Sequence, residues 1–138
     1  MLVNDLYRPA LIDPLSENKA NKLFIVSGYA SATFARRHLL NLKEYKNDFE
    51  INLIIGMPTA KNDHMAFLSL HNEFKGKFNG YYFQGQAPVH CKAYSWFINE
   101  TPIIGLAGSA NYSQYGFFTE QQVNQLSFDN PPHIKNLF

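Results

Sequence analysis

The sequence predicts an α/β fold, a mixed β-sheet flanked by helices, and three observations carry that prediction. Two short apolar runs, 23–26 and 51–55, each stop at a glycine and are each followed by a segment of helical periodicity. After Gly80 the pattern changes to four strand-like runs with only short breaks. With 46% hydrophobic and 17% charged residues, the 138-residue chain carries enough apolar surface for one ordinary core. One domain spanning 1–138 is the expectation.

Residues 1–21 mix Pro9, Pro14 and several polar side chains and read as a loosely packed lead-in. The run 23–26 is a buried strand by its length and by its stop at Gly28. Ser31 can cap a helix whose Phe34, Ala35, His38, Leu39 and Leu42 share one face. The run 51–55 repeats the strand signal before Gly56 and Pro58. Asp63 is the next N-cap candidate; Phe67, Leu70 and Phe74 line a helical face that Gly76 ends. Strand, helix, strand, helix argues for parallel strands joined by helical crossovers. The later runs 81–83, 89–98, 103–106 and 123–128 are strands, with Asn99-Glu100-Thr101-Pro102 as a turn and a short helix after Asn111.

A formal net charge of +1 does not mark a nucleic-acid binder by charge alone. Cys91 is the only cysteine, which excludes a disulfide within the chain and suits a reducing, cytoplasmic setting. The N-terminus lacks the basic and apolar stretches of a secretory signal. No apolar run approaches the roughly 20 residues that span a bilayer, so no membrane role is expected.

The chemistry concentrates in Val89-His90-Cys91-Lys92-Ala93-Tyr94 and Gly108-Ser109-Ala110-Asn111. On a strand His90 and Lys92 point to one side, with Val89, Cys91 and Ala93 on the apolar side. This set suits a phosphodiester. A neutral imidazole can attack phosphorus and divide one hard displacement into two easier ones. Lys92, with Ser109 and Asn111 as donors, meets the charge that grows on the equatorial oxygens. A second histidine must protonate the leaving oxygen and then activate water. No step requires a metal or another cofactor.

His-x-Lys followed by Gly-Ser-x-Asn resembles the phospholipase D superfamily. With Val26-Ser27-Gly28-Tyr29-Ala30-Ser31, the wider pattern over about 22–128 is similar to the phospholipase D-like type II restriction endonucleases. The resemblance implies a metal-independent DNA endonuclease that acts on double-stranded DNA. His90 would be its nucleophile, and Lys92, Ser109 and Asn111 would bind phosphate. It also implies a homodimer with a shared active site, the second histidine being His90 of the partner subunit. The alternatives are another phosphodiesterase of the superfamily, such as a non-specific nuclease, or a catalytically weak DNA-binding or dimerisation module.

Three departures bear on that reading. Where the superfamily often has an Asp beyond the Lys, this chain has Phe97, with Asn99 and Glu100 nearby. The carboxylate that orients the histidine corresponds to Glu120, unless the register places Gln122 or Gln125 there. A glutamine would hold a tautomer but support an imidazolium less well. The family's enzymes also carry a further DNA-binding domain, so the chain reads as the N-terminal part of a longer protein.

Other features have plainer readings. His133-Ile134-Lys135 has no Gly-Ser-x-Asn after it and is no second catalytic half. His64 and His71 lie seven apart, without a third ligand at metal spacing. His38 reads as a core-edge residue. Arg36, Arg37, Lys43, Lys46 and Lys61 read as solvated charges, and Tyr81, Tyr82, Tyr94, Trp96, Tyr112 and Tyr115 chiefly as core or interface aromatics.

Overall fold

The computed structural model describes residues 2–3, 6–57, 61–83, 92–118, 124–128 and 138. The strands are β1 (Leu2–Val3), β2 (Lys22–Ser27), β3 (Glu50–Ile55), β4 (Phe78–Tyr82), β5 (Ala93–Ile98), β6 (Thr101–Gly108) and β7 (Asn124–Phe128). They form one sheet in the order β1-β7-β6-β5-β2-β3-β4. β2, β3 and β4 pair in parallel, and every other neighbouring pair is antiparallel. The sheet is therefore mixed, as the sequence predicts.

Helix α2 (Ala32–Lys43) joins β2 to β3, and α3 (Lys61–Glu73) joins β3 to β4. The Ser31 side chain accepts from the Phe34 N–H, and Phe34, Ala35, His38, Leu39 and Leu42 are all buried. Phe67, Leu70 and Phe74 bury the inner stripe of α3 and its following turn. These side chains join Leu23, Ile25, Ile51, Leu53, Ile55, Tyr94 and Trp96 in one core on one face of the sheet. Side chains alternate across a strand, so Val26 and Ala93 form a small second cluster with Phe24, Ile54 and Ala107 on the other face. No described helix is long and apolar enough to cross a membrane.

The structure corrects several details. Far from being loose, the lead-in buries Leu6, Tyr7, Ala10, Leu11, Ile12, Leu15 and Ala20. It forms a π-helical turn, Arg8–Ile12, that runs into helix α1 (Asp13–Ser16). Pro9 and Pro14 each sit in a first turn, where a missing N–H costs little. They punctuate the segment without unfolding it. The Trp96 indole donates to the Ala10 carbonyl (2.8 Å) and Asn41 Nδ2 to the Tyr7 hydroxyl (2.6 Å), fastening the segment to β5 and α2.

Asp63 lies inside the first turn of α3, where its charge suits the helix dipole, and is not the cap. β4 begins at Phe78, so Gly80 sits within an edge strand and does not break it. The turn between β5 and β6 is only Asn99–Glu100, with Asn99 at φ 51°, a conformation asparagine tolerates. Thr101 and Pro102 already belong to β6, and Pro102 pairs where the register shifts between Trp96 and Phe97. Of the predicted strand 89–98, residues 93–98 are strand; 89–91 lie outside the described residues.

His38 is a core residue, fully buried, and not at the core's edge. Its Nε2 lies 2.7 Å from the Leu11 carbonyl, which can only accept, so Nε2 carries the proton. Its Nδ1 therefore accepts from the Tyr112 hydroxyl at 2.7 Å. Burial pushes the imidazole pKa down to about 4, partly opposed by the Leu11 hydrogen bond. Burial also raises the Tyr112 phenol well above its usual value, so it stays a donor.

A lowered folded-state pKa means that the unfolded chain binds more protons between about 4 and 6.5. Stability should then rise with pH across that window and be lost as pH falls through it. From pH 7.5 down to pH 4, His38 alone should cost about 3 kcal/mol. Denaturant titrations of wild type and His38→Gln measure this. The variant should be less stable at neutral pH and lack this acid component; identical pH dependence in both would contradict it.

Candidate active site

Three adjacent strands end together on one edge of the sheet. Val26 pairs with Ala93, and Ala93 with Ala107. One step further stand Ser27, Lys92 and Gly108, and the Gly108 N–H donates to the Lys92 carbonyl at 3.0 Å. Lys92 thus continues the β5 ladder beside Gly108, and Ser109 and Asn111 follow directly. Lys92 and Asn111 are half-buried and Ser109 is exposed, so all three border solvent at this edge. His90, Glu120 and Gln122 lie outside the described residues, and only the backbone of Gln125 is described, in β7.

The loop after β6 is held at nearly every residue. The Tyr94 hydroxyl donates to the Ala110 carbonyl at 2.5 Å. Asn111 Oδ1 accepts from the Tyr29 N–H at 3.2 Å. The Tyr112 N–H donates to Ser27 Oγ (3.0 Å), and the Tyr112 carbonyl accepts from the Ser31 N–H (3.0 Å). Ala30 and Tyr112 form a parallel bridge. The loop after β2 and the loop after β6 are therefore zipped together, and Gly56 and Met57 add backbone bonds to Ser27 and Gly28.

Asn111 matters most here. A backbone N–H can only donate, so the amide atom facing Tyr29 N must be the oxygen. The amide is planar, and its NH₂ group therefore points away from that contact. Lys92, Ser109 and Asn111 carry donor groups of the types that suit an anion.

Phe97, where the superfamily often has Asp, is 2% exposed and meets Phe24 edge to face at 5.4 Å; it is structural. Arg36 makes a bidentate contact with Glu73 (2.8 and 3.0 Å), and Arg37 lies over the Phe118 ring at 4.6 Å. His64 stacks on Tyr82 at 4.6 Å, and His71 Nδ1 bonds the Phe78 carbonyl. Tyr94, Trp96 and Tyr112 are core aromatics, whereas Tyr81 and Tyr115 are exposed.

Comparison with known proteins settles the family. The NgoFVII restriction endonuclease N-terminal PLD domain matches residues 4–137. The chain belongs to that family. Among solved structures, two mutants of yeast tyrosyl-DNA phosphodiesterase share the fold. They have TM-scores of 0.56 and 0.53, identities of 15% and 17%, and cover 92% and 91% of this chain. Polyphosphate kinase from Porphyromonas gingivalis does so as well, at TM-score 0.54 and 10% identity over 93% of the chain. The chain spans 30%, 31% and 18% of those proteins respectively. No curated protein matches it by sequence. The phospholipase D-type fold and family expected from the two motifs are thus the ones found.

The motif reading missed the supports of this PLD domain: Ser27, the Tyr29 N–H, Tyr94 and Gly116. A serine closing an otherwise apolar strand is the available signal for Ser27, since a buried hydroxyl requires a partner. Gly116 lies in helix α4 (Gln114–Phe117), and a Cβ there would fall 1.9 Å from the Asn111 carbonyl oxygen.

Gly→Ala inside a helix ordinarily stabilises by up to about 1 kcal/mol. Here the sign should reverse: Gly116→Ala should destabilise by about 1–3 kcal/mol, as overpacking does, and displace Asn111. Thermal melting decides it, and an unchanged or raised midpoint would show that the loop yields freely.

Proposed function

We propose that this chain is the catalytic domain of a longer type II restriction endonuclease that hydrolyses double-stranded DNA as a homodimer. One observation supports the reading: the Asn111 amide oxygen is held by the Tyr29 N–H, which leaves its NH₂ away from that contact, near Lys92 and Ser109 at a strand edge of a domain whose family is named for a restriction endonuclease. Three donors of this kind match the equatorial oxygens of a phosphodiester under attack.

The reaction has two displacements. A His90 imidazole nitrogen bonds to phosphorus as the bond to the leaving oxygen breaks, and His90 of the partner subunit protonates that oxygen. The same partner imidazole then takes a proton from water, whose oxygen attacks phosphorus and releases His90. Glu120 would orient the histidine and support its charged form. The negative charge is met by Lys92, Ser109 and Asn111, so the scheme needs no metal. A two-fold axis through the site would bring the two copies of His90 to one phosphate, in the commonest symmetry of soluble oligomers.

Plasmid DNA should be cut in millimolar EDTA by the wild type and not by His90→Ala. Cleavage lost in EDTA and restored by magnesium would overturn the mechanism. Lys92→Ala should retain the fold by circular dichroism and lose about 3 kcal/mol of transition-state stabilisation, a hundredfold or more in rate. Near-normal turnover in that variant would remove Lys92 from the phosphate site.

A further inference from the structure

The Ser27 hydroxyl is a buried polar group that the proposed chemistry leaves unused. Ser27 closes β2 and is fully buried. Its Oγ accepts from the Tyr112 N–H at 3.0 Å, donates to the Tyr29 carbonyl and lies 3.2 Å from Asn111 Oδ1. Asn111 Oδ1 also accepts from the Tyr29 N–H at 3.2 Å. One hydroxyl thus touches Tyr29 in the loop after β2 and both Asn111 and Tyr112 in the loop after β6. Its single proton serves the Tyr29 carbonyl or Asn111 Oδ1 at any moment, and either arrangement keeps the two loops together.

We propose that Ser27 is a positioning residue for phosphodiester cleavage: it holds Asn111 with its oxygen turned inward and so presents the amide nitrogen to the phosphate. This rests on the reading that Asn111 binds phosphate. Without the hydroxyl, the Tyr112 N–H loses that partner and, among the described residues, the Asn111 oxygen keeps the Tyr29 N–H. An amide that rotates then turns a carbonyl oxygen toward the phosphate, where like partial charges repel. That repulsion grows as charge builds on the equatorial oxygens, so the loss falls on turnover more than on binding.

The test is a double-mutant cycle on the full protein, with kcat and KM read on bis(4-nitrophenyl) phosphate and nicking of plasmid DNA as a second substrate. Ser27→Ala should lower kcat by about 10- to 100-fold and move KM by no more than about threefold. In an Asn111→Ala background the same change should cost almost nothing more, because the two residues act as one unit. Ser27→Cys fills nearly the same space with a weak donor and should lose turnover in the same direction, which covers the case in which Ser27→Ala does not fold. Losses that add, or a folded Ser27 variant with wild-type kcat beside an impaired Asn111→Ala, would overturn the role of Ser27 alone. Asn111→Ala with wild-type kcat, or wild-type protein that turns over neither substrate, would overturn the phosphate-site reading and this proposal with it.

Discussion

Closure of the loop after β2 onto the loop after β6 is the constraint from which the rest of the site follows. Its bonds run from Ser27, Tyr29 and Ser31 to Asn111 and Tyr112, more than 80 residues further along the chain. Each is an ordinary hydrogen bond with a net value of about 1 kcal/mol. Their joint effect is geometric: together they leave Asn111 one orientation. On the proposed reading, a donor held in place before the reaction needs no reorganisation during it, which is how such a group accelerates a step.

The core holds this closure from behind. Tyr112 is fully buried, edge to face with Phe34 at 5.1 Å, and its hydroxyl is taken by His38 on α2. His38 is fixed in turn by the Leu11 carbonyl of the N-terminal segment, and Trp96 ties that segment to β5. A chain of buried hydrogen bonds therefore connects the N-terminal turn, α2 and the site loop. Burial favours neutral His38, and protonating it would reverse the Tyr112 bond and bury a charge, so a core group can influence the order of this loop in acid. Gly116 adds a steric condition, because the Asn111 backbone passes where any side chain would stand.

Much of this was legible in the sequence, for identifiable reasons. Parallel strands buried on both faces read as apolar runs, so β2 and β3 stood out, and the capped periodicity of α2 was plain. Lys92, Ser109 and Asn111 stand out in the sequence as donors that the proposed phosphate chemistry would use; the structure shows Lys92 beside Gly108 at one strand edge, with Ser109 and Asn111 following directly. The N-terminal segment reads as loose because Pro9 and Pro14 interrupt Leu6, Ala10, Leu11 and Leu15, which recur at helical intervals and are buried. β4 was started late because Gly80 looked like a break, whereas an edge strand tolerates it. Ser27 leaves only the weak signal of a polar residue closing an apolar strand, and the Tyr29 N–H and Gly116 leave none, since their roles exist only once distant loops meet.

The most direct test of the account is a crystal structure of the protein with orthovanadate, an anion with the charge and shape of a phosphoryl group in transfer. Vanadate should lie at the edge formed by β5 and β6, bound by Lys92 Nζ, Ser109 Oγ and Asn111 Nδ2. Asn111 Oδ1 should remain on the Tyr29 N–H. Vanadate bound elsewhere, or an Asn111 amide turned with its oxygen toward the anion, would contradict it.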